Sequence, residues 1–193
     1  CLGLFGPKSR DLLSKISKDD LSSQSLKFGN SKKIKIKNKI ILAQRLSYVG
    51  EIGFELYIDL NDAKEVYNLI VETGKDFDLS HCGTLAMDIM RMETGYLHWG
   101  HDISPEENQY QSGLKFAISY KKNIDFIGKE SLIKIKNRKV NKKLVMLTLN
   151  NSKPGEPLLL HDEPIYNGSK IIGRTTSGNY SFNFNKNLAF GYV

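Results

Sequence analysis

A short segment with the sequence LSYVGEIGFELY, residues 46–57, combines two carboxylates, two tyrosines and two glycines. Gly50 and Gly53 predict a tight reversal between two strands, because glycine readily adopts the positive φ angles that such turns require. Glu55 and Tyr57 then share one face of the second strand, since side chains alternate with a period of two. A carboxylate held on a strand can accept two parallel hydrogen bonds from a ring N–H and an adjacent amino group. The segment therefore predicts a site for a flat heterocycle with that edge, such as a pterin or a guanine.

The same residues also allow a purely structural interpretation. A glutamate beside a turn glycine is commonly solvated, and a tyrosine on a strand commonly packs against its neighbours. Leu46–Tyr48 is expected to end the first strand, and Phe54 and Leu56 are expected to enter the core from the second. The spacing alone leaves both interpretations open.

Length and composition indicate a globular protein. The chain of 193 residues can form one large or two small domains, and its 40% apolar and 25% charged residues are ordinary for this class. No apolar run approaches the roughly 20 residues of a membrane span, so we expect no membrane partner. Cys1 and Cys82 form no CxxC motif, which argues against a disulfide framework or a zinc site and favours a reducing cytoplasm.

The formal charge of +7 raises the question of a nucleic-acid partner. Lysines are dense in residues 32–39 and again in residues 134–143. The first of these stretches, KKIKIKNK, alternates lysine with isoleucine, which is typical of a strand with one solvated and one buried face. We therefore expect a solvated strand face and no nucleic-acid partner.

The periodicity predicts an α+β arrangement that becomes all-β towards the end of the chain. The expected helices cover residues 7–16, a segment capped by Asn61 or Asp62 and running to about Thr73, and residues 84–94 and 129–136. The expected strands cover residues 33–37, 40–48, 114–119 and 144–149, with hairpins at Asn38 and at Asn167–Gly168. A boundary near Asn137 would separate an α+β domain, residues 1–137, from a small β-barrel-like domain, residues 138–193.

Six ordered sequence blocks resemble the glycine-cleavage T-protein (aminomethyltransferase) superfamily. Besides SYVGEIGFELY, they are AMDIMRMETGYLHWGHD, SGLKFA, DFIGKES, GRTTSGNY and LAFGYV, and together they span most of the chain. The HWGHD and TTSGNY forms, with KFGN at residues 27–30, look most like the folate-binding C-terminal part of dimethylglycine and sarcosine dehydrogenases. The resemblance implies a T-protein-like folate-binding domain followed by a barrel-like C-terminal domain.

The resemblance implies an activity, the transfer of a one-carbon group to tetrahydrofolate. Enzymes of this superfamily form 5,10-methylenetetrahydrofolate from an aminomethyl or iminium group. The alternatives are a stand-alone glycine-cleavage aminomethyltransferase, which takes the H-protein as its partner, and a non-catalytic folate-binding regulatory protein. FAD would be a cofactor only if an upstream flavin domain exists, because the chain has no GxGxxG motif.

The resemblance also assigns folate-binding residues. Glu55 is the expected pterin-pairing carboxylate, with Tyr48 and Tyr57 beside the ligand and Glu51 as the alternative acceptor. Two further expected contacts, Arg91 and Phe116, also have structural interpretations: an internal ion pair of Arg91 with Asp88 or Glu93, and core packing of Phe116.

Neither a metal site nor a catalytic residue is expected in this chain. His98 and His101 have no clear third ligand nearby, so YLHWGHD predicts a polar turn, with Trp99 buttressing the pocket, and no metal site. The chain is expected to be incomplete, because it ends at Val193 within a barrel strand and lacks the N-terminal portion that carries the family's essential aspartate. No catalytic residue is therefore assigned.

Overall fold

The computed structural model describes all residues 1–193 and confirms the α+β class. Backbone contacts divide the chain into two compact units, Cys1–Thr94 and Gly95–Val193. The sequence boundary near Asn137 falls inside the second unit, where it separates the last helix from an all-β region. Each unit has its own antiparallel sheet of four strands.

The first unit packs helices against one face of its sheet. Its elements are β1 (Leu2–Phe5), α1 (Ser9–Ile16), β2 (Ser31–Ile36), β3 (Lys39–Gln44), β4 (Gly53–Tyr57), α2 (Leu60–Gly74), a 3-10 turn (Lys75–Phe77) and α3 (Thr84–Glu93). The strand order is β1-β4-β3-β2. The buried core of this unit draws on all four strands and on α1 and α2.

Alternation along β2 and β4 follows the sequence pattern. Ile34 and Ile36 are buried while Lys33 and Lys35 are exposed, which confirms the solvated strand face. The hairpin between β2 and β3 turns at Lys37, with φ of 53°, and Asn38. On β4, Phe54 and Leu56 are fully buried, so the opposite face of that strand carries Glu55 and Tyr57 as predicted.

Two expectations about the segment before β4 are wrong. The strand expected to reach Tyr48 ends at Gln44, because the N–H of Leu46 donates to the Gln44 carbonyl at 3.1 Å and turns the chain. Gly50 has the expected positive φ, 78°, but Gly53 does not and is already part of β4. Gly53 serves instead to leave room for a neighbouring side chain, as described below.

The helices also show local differences from the sequence expectation. The N-cap of α2 is Asp59, not Asn61 or Asp62, and its carboxylate accepts from the Asn61 N–H at 3.0 Å. On α3, Ile89 and Met92 are buried as expected, but Leu85 is 78% exposed. None of the helices combines the length and apolar character needed to cross a membrane.

The second unit is dominated by its sheet. Its elements are a 3-10 turn (Leu114–Ala117), α4 (Lys129–Ile135), β5 (Leu144–Leu149), β6 (Pro164–Asn167), β7 (Lys170–Ser181) and β8 (Lys186–Tyr192), in strand order β5-β8-β7-β6. The Asn167–Gly168 hairpin is confirmed, with φ of 61° at the glycine. The strand predicted at residues 114–119 is wrong: Gly113 at φ 78° begins a 3-10 turn, and no neighbouring strand pairs with it.

A buried carboxylate holds the loop before the sheet of the second unit. Asp102 is 0% exposed. One of its oxygens accepts from Thr176 Oγ1 at 2.6 Å and from Ser177 Oγ at 2.7 Å, both on β7. The other oxygen accepts from the His98 N–H at 2.8 Å, and the Asp102 carbonyl accepts from the Tyr192 hydroxyl at 2.9 Å. The loop is thereby fixed to two strands at once.

Replacing Asp102 by Asn should destabilise the second unit by about 1–3 kcal/mol, because the amide has one acceptor oxygen and cannot accept from both the His98 N–H and the two hydroxyls. The single tryptophan, Trp99, lies in this unit, so urea unfolding followed by its fluorescence measures the effect. Asp125→Asn is the matched control, since the Asp125 side chain is 85% exposed. Equal midpoints for the two variants would contradict the role of Asp102.

Candidate functional site

The sheet face of the first unit that carries Glu55 is not covered by the helices. The Tyr57 hydroxyl donates to Glu55 Oε2 at 2.7 Å, and 43% of Tyr57 is exposed. This hydrogen bond raises the pKa of Tyr57, since losing the proton would place a phenolate beside a carboxylate. The Glu55 carboxylate is therefore held by a side chain of its own strand, as the period of two predicts.

The neighbouring strands place further groups around Glu55. Gln44 on β3 lies directly opposite Glu55 on one side, and Gly3 on β1 lies opposite it on the other. Leu42 on β3 lies opposite Tyr57. Residues directly opposite in an antiparallel pair share a face, so Gln44 and Leu42 border the carboxylate and its tyrosine. The sequence analysis missed both residues, because nothing in the local pattern shows which residues of two strands are paired.

The Glu55 carboxylate keeps acceptor capacity for a ligand. An ionised carboxylate offers about four lone-pair positions, and the Tyr57 hydroxyl occupies one of them, on Oε2. Oε1 and the remaining position on Oε2 can accept two parallel N–H bonds. The arrangement fits the edge of a flat ring that presents an N–H beside an amino group.

Two other candidates lie in the segment between β3 and β4. Tyr48 is half-buried, whereas Glu51 is exposed at the turn that contains Gly50. A side chain at Gly50 would collide with the methyl group of Thr94, so this turn needs glycine for space as well as for its φ. The turn at Gly50 therefore packs directly against Thr94, the C-cap residue of α3.

Arg91 lies on α3 and is only 1% exposed. Its Nε donates to Asp88 Oδ1 at 2.9 Å, and Nη2 lies 2.8 Å from the same oxygen. The internal ion pair with Asp88 is thus confirmed. A role of Arg91 towards a ligand stays a prediction, and a ligand group would have to reach a buried guanidinium to make that contact.

Phe116 belongs to the second unit, in the 3-10 turn Leu114–Ala117. It is 82% exposed, so the interpretation of Phe116 as a core residue is wrong. Its contact with a ligand stays a prediction.

The histidines of the HWGHD motif lie around the polar turn anchored by Asp102. The rings of His98 and His101 are 4.4 Å apart between centroids, and His161 lies edge-on to His101 at 5.4 Å. No group of three or more His, Cys, Asp or Glu side chains is arranged to hold a metal ion. Trp99 is 66% exposed, and its contribution to a pocket stays a prediction.

A cavity of about 470 Å³ lies in the first unit, beside the free edge of β1 and between α2 and the start of α3. Its lining is mainly apolar and includes Phe5, Ile70 and Met87. Neither Glu55 nor Tyr57 lines it, and no carboxylate does. An N–H edge would find no charged acceptor there, so the open sheet face at Glu55 is the better candidate for binding a polar heterocycle.

Two family models match this chain in tandem. The GCVT N-terminal domain matches residues 1–122, and the glycine cleavage T-protein C-terminal barrel domain matches residues 142–193. The chain therefore belongs to the glycine-cleavage T-protein (aminomethyltransferase) family. Asn137, the expected boundary, lies in the interval between the two matched regions.

The relatives of this chain include dehydrogenases and aminomethyltransferases. The mitochondrial dimethylglycine dehydrogenase of Homo sapiens is 36% identical over 192 residues, which cover 100% of this chain and 22% of the relative. The aminomethyltransferase of Halothermothrix orenii is 35% identical, and the match covers 100% of this chain and 52% of the relative. The chain thus spans about a fifth of the dehydrogenase and about half of the aminomethyltransferase.

A solved structure shares the fold. The crystal structure of glycine cleavage system aminomethyltransferase T from Bartonella henselae superposes with a TM-score of 0.81 at 23% sequence identity. The match covers 97% of this chain and 49% of that one. At this level of identity the match shows that the two proteins share a fold.

Glu55→Gln should lower the pKa of Tyr57 towards the ordinary tyrosine value of about 10, because the charged acceptor is lost. The raised pKa means that this hydrogen bond stabilises the fold below that ordinary value and loses its contribution as the pH rises through the raised one. NMR titration of ¹³Cζ-labelled tyrosine measures the shift, and the exposed Glu51→Gln is the control. Identical Tyr57 titrations in wild type and Glu55→Gln would show that the bond does not exist in solution.

Proposed function

We propose that this chain is the tetrahydrofolate-binding part of a one-carbon transfer enzyme, with Glu55 as the acceptor for the pterin edge. The observation that carries the proposal is the Glu55 carboxylate, which accepts from Tyr57 on the sheet face opposite the helices and keeps acceptor positions on both of its oxygens. The family match and the enzyme names of the relatives support it.

A reduced pterin has the donor pattern that this carboxylate requires. Its ring N3–H and 2-amino group lie side by side and point in the same direction, so both can donate to one carboxylate. Bonds of this charge-assisted kind fix the orientation of the ring as well as adding affinity. In one-carbon transfer that orientation matters, because the N5 and N10 nitrogens must meet the incoming carbon while water is kept away.

The other expected residues are retained as proposed folate contacts. Tyr48 would flank the pterin, and Glu51 is the alternative acceptor because it lies on the same turn. Arg91 would act on a ligand carboxylate, and Phe116 would pack against the folate. For these four residues the support is their position in the family's sequence motifs.

The full reaction needs more protein than this chain spans. We propose that 5,10-methylenetetrahydrofolate forms from an iminium group supplied by a flavin domain in a dimethylglycine or sarcosine dehydrogenase-like protein, with FAD bound outside this chain. The residues here would hold and orient tetrahydrofolate, and none of them is assigned a catalytic role. A cytoplasmic location is part of the proposal, although several dehydrogenase relatives are named as mitochondrial.

The stand-alone aminomethyltransferase is the second candidate. The Halothermothrix orenii relative is nearly as similar to this chain, at 35% identity, as the human dehydrogenase at 36%. The two candidates differ in the donor of the carbon: a methylamine oxidised by a flavin, or an aminomethyl group on the glycine-cleavage H-protein. Assays with each donor separate them.

Glu55→Gln should weaken tetrahydrofolate binding by about 1.5–3 kcal/mol, because one partner of a charge-assisted pair is lost. Anaerobic calorimetric titration of wild type and variant measures the change. Glu51→Gln, which lies in the same segment, should leave the affinity unchanged. If Glu51→Gln weakens binding and Glu55→Gln does not, the acceptor is Glu51, and unchanged affinity in both variants would refute the pterin assignment.

A further inference from the structure

The ring of Phe5 lies flat across the sheet of the first unit, over two glycines. A Cβ atom added to Gly3 would lie 2.5 Å from Phe5 Cε2 and 2.9 Å from Cζ. A Cβ atom added to Gly53 would collide with Cδ1 and lie 2.9 Å from Cε1. These are the two opposite edges of one ring, so each edge rests over one glycine. The ring can lie down on the sheet only because both positions lack a side chain.

The strand register puts this ring beside Glu55. Phe5 on β1 lies opposite Gly53 on β4, and Gly3 lies opposite Glu55. The ring extends from Gly53 to Gly3, so it reaches the position directly across from the carboxylate. Because one ring face rests on the sheet, the other is turned away from it. The side chain is partly exposed, in agreement with an outer face open to a ligand.

Space for a ligand borders the ring as well. Phe5 and Gly3 both line the 470 Å³ cavity beside β1. A flat heterocycle bonded through its edge to Glu55 could therefore extend over the outer face of the phenyl ring. Aromatic rings prefer such offset stacking, which adds to affinity beyond the area that it buries.

We propose that Phe5 is the stacking platform for the heterocycle whose N–H edge Glu55 binds, and that Gly3 and Gly53 keep the platform flat. The inference rests on the proposed function and adds a specificity-determining residue to it. The site would select a planar, aromatic or partly reduced bicyclic ring that combines a donor edge with a stackable face. The aminobenzoyl-glutamate part of a folate would gain nothing from Phe5.

Phe5→Leu tests the platform, because leucine keeps an apolar side chain over the glycines but removes the aromatic face. We expect Phe5→Leu to weaken binding of tetrahydrofolate and of tetrahydropterin by roughly 5- to 15-fold. Phe5→Tyr retains the ring and should stay within about twofold of wild type. Anaerobic calorimetry gives the affinities, and thermal unfolding shows whether each variant keeps its fold.

A spectroscopic measurement separates stacking from a structural role. Stacking on Phe5 should shift the pterin proton resonances of bound ligand upfield by the ring current, and Phe5→Leu should abolish that shift at saturating ligand. An unchanged shift or unchanged affinity in a folded Phe5→Leu variant, while Glu55→Gln still weakens binding, would overturn the platform and leave the proposed function intact. Absence of tetrahydropterin and tetrahydrofolate binding to the wild-type protein would overturn both.

Discussion

The pairing of β4 between β1 and β3 is the constraint on which the candidate site depends. A strand has side chains on alternating faces, so a shift of one residue would exchange Phe54 and Leu56 with Glu55 and Tyr57. The two apolar residues are fully buried against the helices, and burying two polar groups in their place would cost far more than any local contact could recover. The core therefore fixes the register, and the register in turn presents the carboxylate.

The same register gives the site its neighbours. Gly3 comes to lie across from Glu55, and Phe5 across from Gly53, only because β1 joins the edge of β4 in one alignment. The sequence pattern predicts a turn at Gly53, yet its φ is not positive. Glycine is needed there because a Cβ atom would collide with the Phe5 ring. Glycine can thus be required by a neighbouring ring as well as by backbone conformation.

In the second unit, a buried carboxylate fixes a long irregular loop to the sheet. Asp102 is buried with both carboxylate oxygens hydrogen-bonded, two bonds coming from hydroxyls of β7 and one from the backbone of its own loop. A buried charge is tolerated when its bonds are complete. The HWGHD motif is explained in part by this role, since its aspartate is the anchor while Trp99 remains mostly exposed.

The amino-acid sequence by itself determined the elements with strong local signals: the alternation of β2 and β4, helices α2 to α4, the Asn167–Gly168 hairpin and the family of the chain. It also placed Glu55 and Tyr57 on one face, because that follows from the period of a single strand. Only the tertiary structure decided the rest. Which residues oppose Glu55, that Arg91 is buried, and that residues 114–117 form a turn and no strand all depend on contacts between distant segments, which no local pattern encodes.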